Sequence, residues 1–337
     1  MSTWRECRGT IYGAKANERG PLGGGAGYKA AVTGGDKSVR SLEDLVDALE
    51  LARSGDLIFL PGDVEIDLTA LVYIEKLVLR LPGGVTLASD RGVEGSPGAI
   101  LTCDALDAPG LFQPLGPGVR LTGIRLQGPN SKRYLDHHRR SFAEGRGHEY
   151  YYRFPVSRGI VCEVDELEID NCELRGFSHG AILLRKGTGH RIHHNFIHHN
   201  QYQGLGYGVT HGTAFSTIEC NLFNWNRHSI AATGEAGSGY TARHNLELGE
   251  SLSHCFDVHG GRDRKDGTQI AATRVLVENN TFMAEQRPVV VRGQPEEEVL
   301  VTRNWFPLHP TPENAVEAED GTRVVDNYFG RDPGQVF

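Results

Sequence analysis

The chain has 337 residues, of which 39% are hydrophobic and 43 are glycine, and it carries a formal charge of −8. The charge argues against nucleic acid as a partner, and no apolar stretch reaches the length of a membrane span. The six cysteines form no Cys-x-x-Cys pair and no small-domain disulfide framework; Cys162 and Cys172 are spaced to meet across a repeat, but buried free thiols are the expectation.

The opening Met-Ser-Thr-Trp-Arg-Glu lacks the pattern of a signal peptide. This predicts a cytoplasmic protein, or a secreted one whose leader has been removed. Ser41-Leu-Glu-Asp44 opens an amphipathic helix running to about Arg53, with Ser41 as N-cap. Short strands follow at Asp56–Leu60, Leu77–Leu81, Ala99–Thr102 and Val119–Thr122. An insertion spans roughly Pro129 to Pro155 and mixes His137-His-Arg-Arg140 with Tyr150-Tyr-Tyr-Arg153. Aromatic faces stack on sugar rings and Arg pairs with carboxylates, so this segment, with Tyr151 as its sugar-stacking candidate, is expected to wall a substrate groove.

From Asn171 onward one pattern recurs: an apolar residue, two variable residues, Asn, then an apolar residue. It reads Ile192-His-His-Asn195-Phe, Ile218-Glu-Cys-Asn221-Leu, Ala242-Arg-His-Asn245-Leu, Val277-Glu-Asn-Asn280-Thr-Phe, Val301-Thr-Arg-Asn304-Trp-Phe and Val324-Val-Asp-Asn327-Tyr-Phe. Counting from Asn171, the steps are 24, 26, 24, 35, 24 and 23 residues. A fixed period in this range marks a solenoid. The units are rich in β-branched and aromatic residues and split by Gly, Asn and His, which predicts strands rather than helix pairs. The expected fold is all-β: one right-handed parallel β-helix domain over 1–337, with a cap to about residue 55 and coils over about 56–330. The Asn should stack in one turn column, tolerating a left-handed backbone and bonding its copies above and below. A solenoid needs its open end covered, and the early helix is the expected cap.

Strand residues alternate faces. With Ile160, Ile182, Val209, Ile230, Phe256, Val289 and Val316 taken as equivalent inward positions, three outward columns follow. The first holds Arg158, Gly180, Tyr207, His228, His254, Arg287 and Asn314; the second Val161, Leu183, Thr210, Ala231, Asp257, Val290 and Glu317; the third Glu163, Arg185, Gly212, Thr233, His259, Arg292 and Glu319. Stacking therefore gathers Tyr207, His228, His254, Asp257, His259 and Arg292 on one outer surface, residues suited to proton transfer and anion binding. The polar loop after His259 adds Arg262 and Asp263. Asp263 and Asp266 are too few to define a calcium site, so calcium stays open and no other cofactor is implied. His193, His194, His198, His199 and His244 flank the turns and are expected to be solvated or stacked. Their spacing does not indicate the convergence that zinc requires.

With these features the whole chain resembles the pectate-lyase-like right-handed β-helix superfamily, including Gly23-Gly-Gly-Ala-Gly-Tyr28 and Val39–Leu45 at its entry, and His190–Thr268 is similar to sequences related to archaeal disaggregatase. The superfamily holds polysaccharide lyases, hydrolases, epimerases and some adhesins, so the fold does not fix the reaction. The motifs of polygalacturonase-type hydrolases are absent, and Arg287-Pro-Val-Val-Val-Arg292 only approaches the pectate-lyase signature. Phe256-Asp-Val-His259 resembles the Phe-Asp-x-His part of an alginate-epimerase and lyase motif, departing where its Tyr becomes His254 and its Pro becomes Val258. The resemblance implies Asp257 and His259 as catalytic residues. The expected activity is a polysaccharide lyase acting on a uronate glycan by β-elimination. His259 or His254 is the base, Asp257 its orienter, and Tyr207 or His228 the proton donor. Arg185, Arg292, Arg287, Arg262 and Asp263 are the remaining substrate-binding candidates. A glycoside hydrolase with paired carboxylates among Asp257, Asp263, Asp266 and Glu163, or a non-catalytic glycan-binding β-helix, are the alternatives.

Overall fold

The computed structural model describes residues 2–129, 155–200, 205–331 and 335–336. The insertion expected to wall the groove, Tyr151 included, lies outside the described residues apart from its two ends. The chain forms a parallel β-helix: nearly every strand pairs in parallel with its counterpart one coil away, in an 18-stranded and an 11-stranded sheet. The long strands Gly180–His193 and Tyr207–Glu219 run through a corner and join two faces of the solenoid into the larger sheet.

The register follows the spacing of the apolar residues. Ile160 pairs with Ile182, Ile182 with Val209, Val209 with Ile230, Ile230 with Phe256, Phe256 with Val289 and Val289 with Val316. These residues belong to one continuous apolar core that runs from Val39 to Phe329. Inside it Phe282, Phe306 and Phe329 stack with ring centroids 5.3 and 5.1 Å apart, the offset-stacked range for aromatic pairs.

The Asn column forms as the period requires. The side-chain amide of Asn195 donates to Oδ1 of Asn221, Asn221 to Asn245, Asn245 to Asn280, Asn280 to Asn304 and Asn304 to Asn327, each at 3.0 Å. Two details differ from expectation. The left-handed residue is the one before each ladder Asn, for example His194, Cys220 and His244, with φ of 54°, 55° and 53°. Asn171 takes that left-handed position itself, at φ 54°. It is therefore outside the column, and the backbone N–H of Cys172 meets Asn195 Oδ1 there at 2.9 Å. A second ladder runs at another turn, where Asn200 donates to Asn226 Oδ1 at 3.0 Å.

The helix Leu42–Leu51 is capped by Ser41, whose hydroxyl accepts from Asp44 N–H, and buries Leu45, Ala48 and Leu49 against the first coil. A helix at Thr69–Glu75 is an addition that the sequence reading missed. The glycine-rich segment 13–28 lies along the outside of the Asn turns. Gly13 N–H donates to Arg303 O at 2.9 Å, Gly23 N–H to Cys220 O at 2.8 Å, and Tyr28 OH to Asp170 Oδ2 at 2.8 Å. At Gly24, with φ of 67°, a Cβ would come within 2.4 Å of His194 O, so only glycine lets this segment lie so close. All six cysteines are free thiols, and Cys162 and Cys172 are buried.

Candidate active site

The outward columns assemble as the register dictates: Arg158 pairs with Gly180, Gly180 with Tyr207, Tyr207 with His228, and Ala231 with Asp257. The structure brings Tyr207, His228, His254, Asp257, His259 and Arg292 together. Asp257 is the hub. Arg292 Nε donates to its Oδ1 at 3.1 Å and Nη2 to its Oδ2 at 2.5 Å. His259 Nε2 lies 2.9 Å from Oδ2, His254 Nε2 3.3 Å from Oδ1, and His228 Nε2 3.6 Å from Oδ2. Asp257 and His228 stand on the outer face of the sheet, yet both side chains have 0% exposure. Their neighbours cover them: Tyr207 stacks on His228 with ring centroids 5.7 Å apart, and His254 closes on it at 4.5 Å.

Burial opposes ionisation of Asp257, but the hydrogen-bonding nearness of His254 and His259 outweighs it and holds the carboxyl well below its usual range. His228 is held well below the usual imidazole range by burial first and by Arg227 second. It is therefore neutral, and its Nδ1–H donates to the His254 carbonyl at 2.6 Å, which fixes the tautomer. With no exposed side-chain surface, His228 is not placed to give a proton directly to a substrate, contrary to expectation; it packs against Tyr207 and His254. His254 and His259 keep 25% and 33% of their side chains exposed. A cavity of about 440 Å³ runs from His259 along the coils past Thr210, Tyr207 and Arg185 to His179 and Arg158. Its floor is Leu183 and Ala231, and no described lining residue is acidic.

The other candidates fall differently. Arg185 lines the cavity and pairs with Glu163 at 2.9 Å in an exposed pair. Arg262 reaches away to Glu319 at 2.7 Å, and Arg287 pairs with Glu317; neither lines the cavity. Asp263 Oδ2 accepts from Gly260 N–H at 3.2 Å and Oδ1 from Arg292 Nη1 at 3.2 Å. Asp266 is taken by Thr268 and Arg264, so the two carboxylates do not converge as a calcium site would need. Nε2 of His228 and of His254 and an oxygen of Asp257 lie within 4.8 Å of one another, as do donor atoms of Glu168, Asp170 and His193. Arg292 already holds both oxygens of Asp257. Asp170 is likewise taken by Arg120, Tyr28 and Thr122. Of the two expectations for the turn-flanking histidines, stacking holds for His198 on Phe196 and His199 on Trp225, and His193, His194 and His198 are buried. His194 lies under Asn17 and Tyr28, and burial lowers its pKa to about 4.

No protein-family model and no curated protein sequence matches the chain. Solved structures of similar architecture include a family 28 exopolygalacturonase from Yersinia enterocolitica, at 14% identity and a TM-score of 0.50. That match covers 90% of this chain but 64% of the enzyme, so the chain spans less than two thirds of its length. An alginate lyase from Paenibacillus sp. str. FPU-7 matches at 13% identity and a TM-score of 0.47, over 87% of this chain and 98% of that one. A PL6 family alginate lyase matches at 13% identity and a TM-score of 0.45, over 89% and 40%. The likeness to the exopolygalacturonase is one of fold, a parallel β-helix. On this β-helix the cavity lies on one outer face, and each coil contributes at most one side chain per column to it.

The Arg158–His179 pair escaped sequence selection as a site, although Arg158 stands in the same column as Tyr207 and His228. Arg158 Nε donates to His179 Nδ1 at 3.0 Å. The signal was present in the first column, where a cation recurs on an outer face, but His179 precedes its strand and joined no column.

Proposed function

We propose that this β-helix is a polysaccharide lyase that cleaves a uronate-containing glycan by β-elimination. The observation that carries the reading is His259: it lines the groove while its Nε2 lies 2.9 Å from Asp257, a buried carboxylate clamped by Arg292. With Nε2–H given to Asp257, Nδ1 is the ring nitrogen left to take a proton. It removes the proton at C5 of the uronate. The released electron pair forms the C4–C5 double bond, the C4–O bond breaks, and the leaving oxygen takes a proton from Tyr207 or His254. Tyr207 OH accepts from Arg227 Nη1 at 3.2 Å, which stabilises the phenolate left by that transfer.

The charge of the substrate carboxylate must be offset for C5 to lose its proton. Arg292 is the neighbouring cation, and its exposed contact with Asp263 is the one a substrate carboxylate can replace. Hydrolysis needs two carboxyl groups facing each other across the bond. Asp257 is buried, Asp263 and Asp266 serve their own loop, and the described groove lining holds no acid, which favours elimination.

The test is product chemistry. Polyuronides and neutral glycans are incubated with the protein, with and without chelator, and read by ultraviolet absorbance and by reducing ends. Elimination gives reducing ends together with an unsaturated, absorbing uronate. Reducing ends without absorbance would replace this reading by hydrolysis, and binding without either signal would make the protein a glycan-binding module.

A further inference from the structure

The end of the groove away from His259 carries a cation, Arg158, that feels the charge of Asp107 but forms no ion pair among the described residues. Arg158 sits at the start of the strand Arg158–Cys162 and lines the cavity with His179. Its Nε–H is taken by His179 Nδ1 at 3.0 Å. Among the described residues it makes no ion pair, and its Nη groups meet no acceptor. Elsewhere on this face the arginines are spoken for: Arg185 by Glu163, Arg287 by Glu317, Arg292 by Asp257 and Asp263. His179 can hold Arg158 only while neutral. Burial, then the charges of Arg158 and Arg185, lower its pKa to about 4, so it remains an acceptor across the neutral range. The fork of the guanidinium is thus fixed on one edge and presents its other N–H groups to the groove, the geometry that recognises a carboxylate in two-pronged fashion.

We infer that Arg158, oriented by His179, is an anion subsite that binds the carboxylate of a uronate unit remote from the bond that is cleaved. The inference rests on the reading of the groove as a polyuronide site. The strand of Arg158 and that of Asp257 are separated by the strands that begin at Gly180, Tyr207 and His228. Four coil steps of ~4.8 Å put the subsite ~19 Å from the strand of Asp257, and two steps, ~10 Å, from that of Tyr207. Each rise is close to the length of one sugar unit, so the subsite holds a unit about two removed from Tyr207 and about four from Asp257. It therefore selects for chains that are long and charged, and a short or neutral chain cannot use it. Tyr207 lies between the two ends with its ring edge-on to His179, at a centroid distance of 6.0 Å.

The experiment measures binding, in the His259→Ala background so that chains stay intact, of oligogalacturonates and oligomannuronates of increasing length and of their carboxyl-reduced counterparts. Arg158→Gln is expected to weaken the longer uronates by on the order of tenfold to a hundredfold, the scale of one charged hydrogen-bonded contact. Dimers and carboxyl-reduced chains should be unaffected, and Arg158→Lys should recover part of the loss. Melting temperature is followed in each variant. Unchanged affinity for long uronates in Arg158→Gln, or an equal loss for reduced chains, would overturn the subsite while leaving the lyase reading standing. If none of the uronates binds the background protein, both fall together.

Discussion

Arg292 holds Asp257 through both carboxylate oxygens, from the next coil of the same sheet face, and shares its remaining Nη1 with Asp263. Asp257 has no exposed surface, whereas Arg292 keeps 33% of its side chain exposed. Asp257 therefore lies under the surface of the outer face, and replacing it or its clamp carries a structural cost. Removing one member of a buried ion pair strands the other and costs about 3–5 kcal/mol. Arg292→Ala should destabilise by a good part of that, measured by urea unfolding. His259→Ala, at the exposed rim, should cost less than about 1 kcal/mol. Equal losses would mean that the clamp is only a surface contact.

The Asn column makes a second, independent prediction. Asn245 accepts from the backbone N–H and side-chain amide of Asn221, and donates to Ile218 O and Asn280 Oδ1. Asn245→Ala leaves several buried groups without partners, each costing about 1–3 kcal/mol. A loss above about 3 kcal/mol is expected in equilibrium unfolding, and a near-neutral variant would show that the ladder is ornamental to the stack.

Glu247 is a buried acid inside the solenoid. Its register partners are Phe223 on one side and Phe282 on the other, and among the described residues neither carboxylate oxygen makes a hydrogen bond of ordinary geometry, Ser229 being the nearby hydroxyl. Burial pushes its pKa up to about 8 from an ordinary 4.5. As pH rises through 4.5 the unfolded chain loses this proton while the folded chain keeps it, so folding loses stability until about pH 8 and then levels off. Glu247→Leu should therefore raise the melting temperature, and by more at pH 8 than at pH 5. A difference that does not change with pH would show that Glu247 is solvated.

What could be read in advance, and what could not, follows from the range of the interactions. The inward column from Ile160 to Val316 and the Asn ladder are set by spacing within each coil, so the period exposes them. It also aligned Asp257 and His259 with Tyr207 and His228. The misplacement of Asn171 arose because the motif does not distinguish the ladder position from the left-handed one just before it. Burial of His193 and His194 depends on residues 17–28, which lie more than a hundred residues away and carry no repeat pattern. Glu247 had a visible signal. It follows Asn245-Leu where the other coils read Asn221-Leu-Phe, Asn280-Thr-Phe, Asn304-Trp-Phe and Asn327-Tyr-Phe, so an acid stands in an aromatic column. The coverage of Asp257 could not be read, because alternation gives the face of a side chain and not what its neighbours do over it.

The central claim is that His259, oriented by Asp257, moves the proton in a polyuronide elimination. The most direct measurement is the rate of appearance of the ultraviolet-absorbing unsaturated uronate, per folded molecule, for the unaltered protein, His259→Ala and Asp257→Asn, with melting temperature taken on the same preparations. The account predicts a loss on the order of 10²-fold or more in His259→Ala with its melting temperature preserved. Asp257→Asn should show a comparable loss together with a lower melting temperature. A His259→Ala variant that keeps its full rate would remove this pair from catalysis.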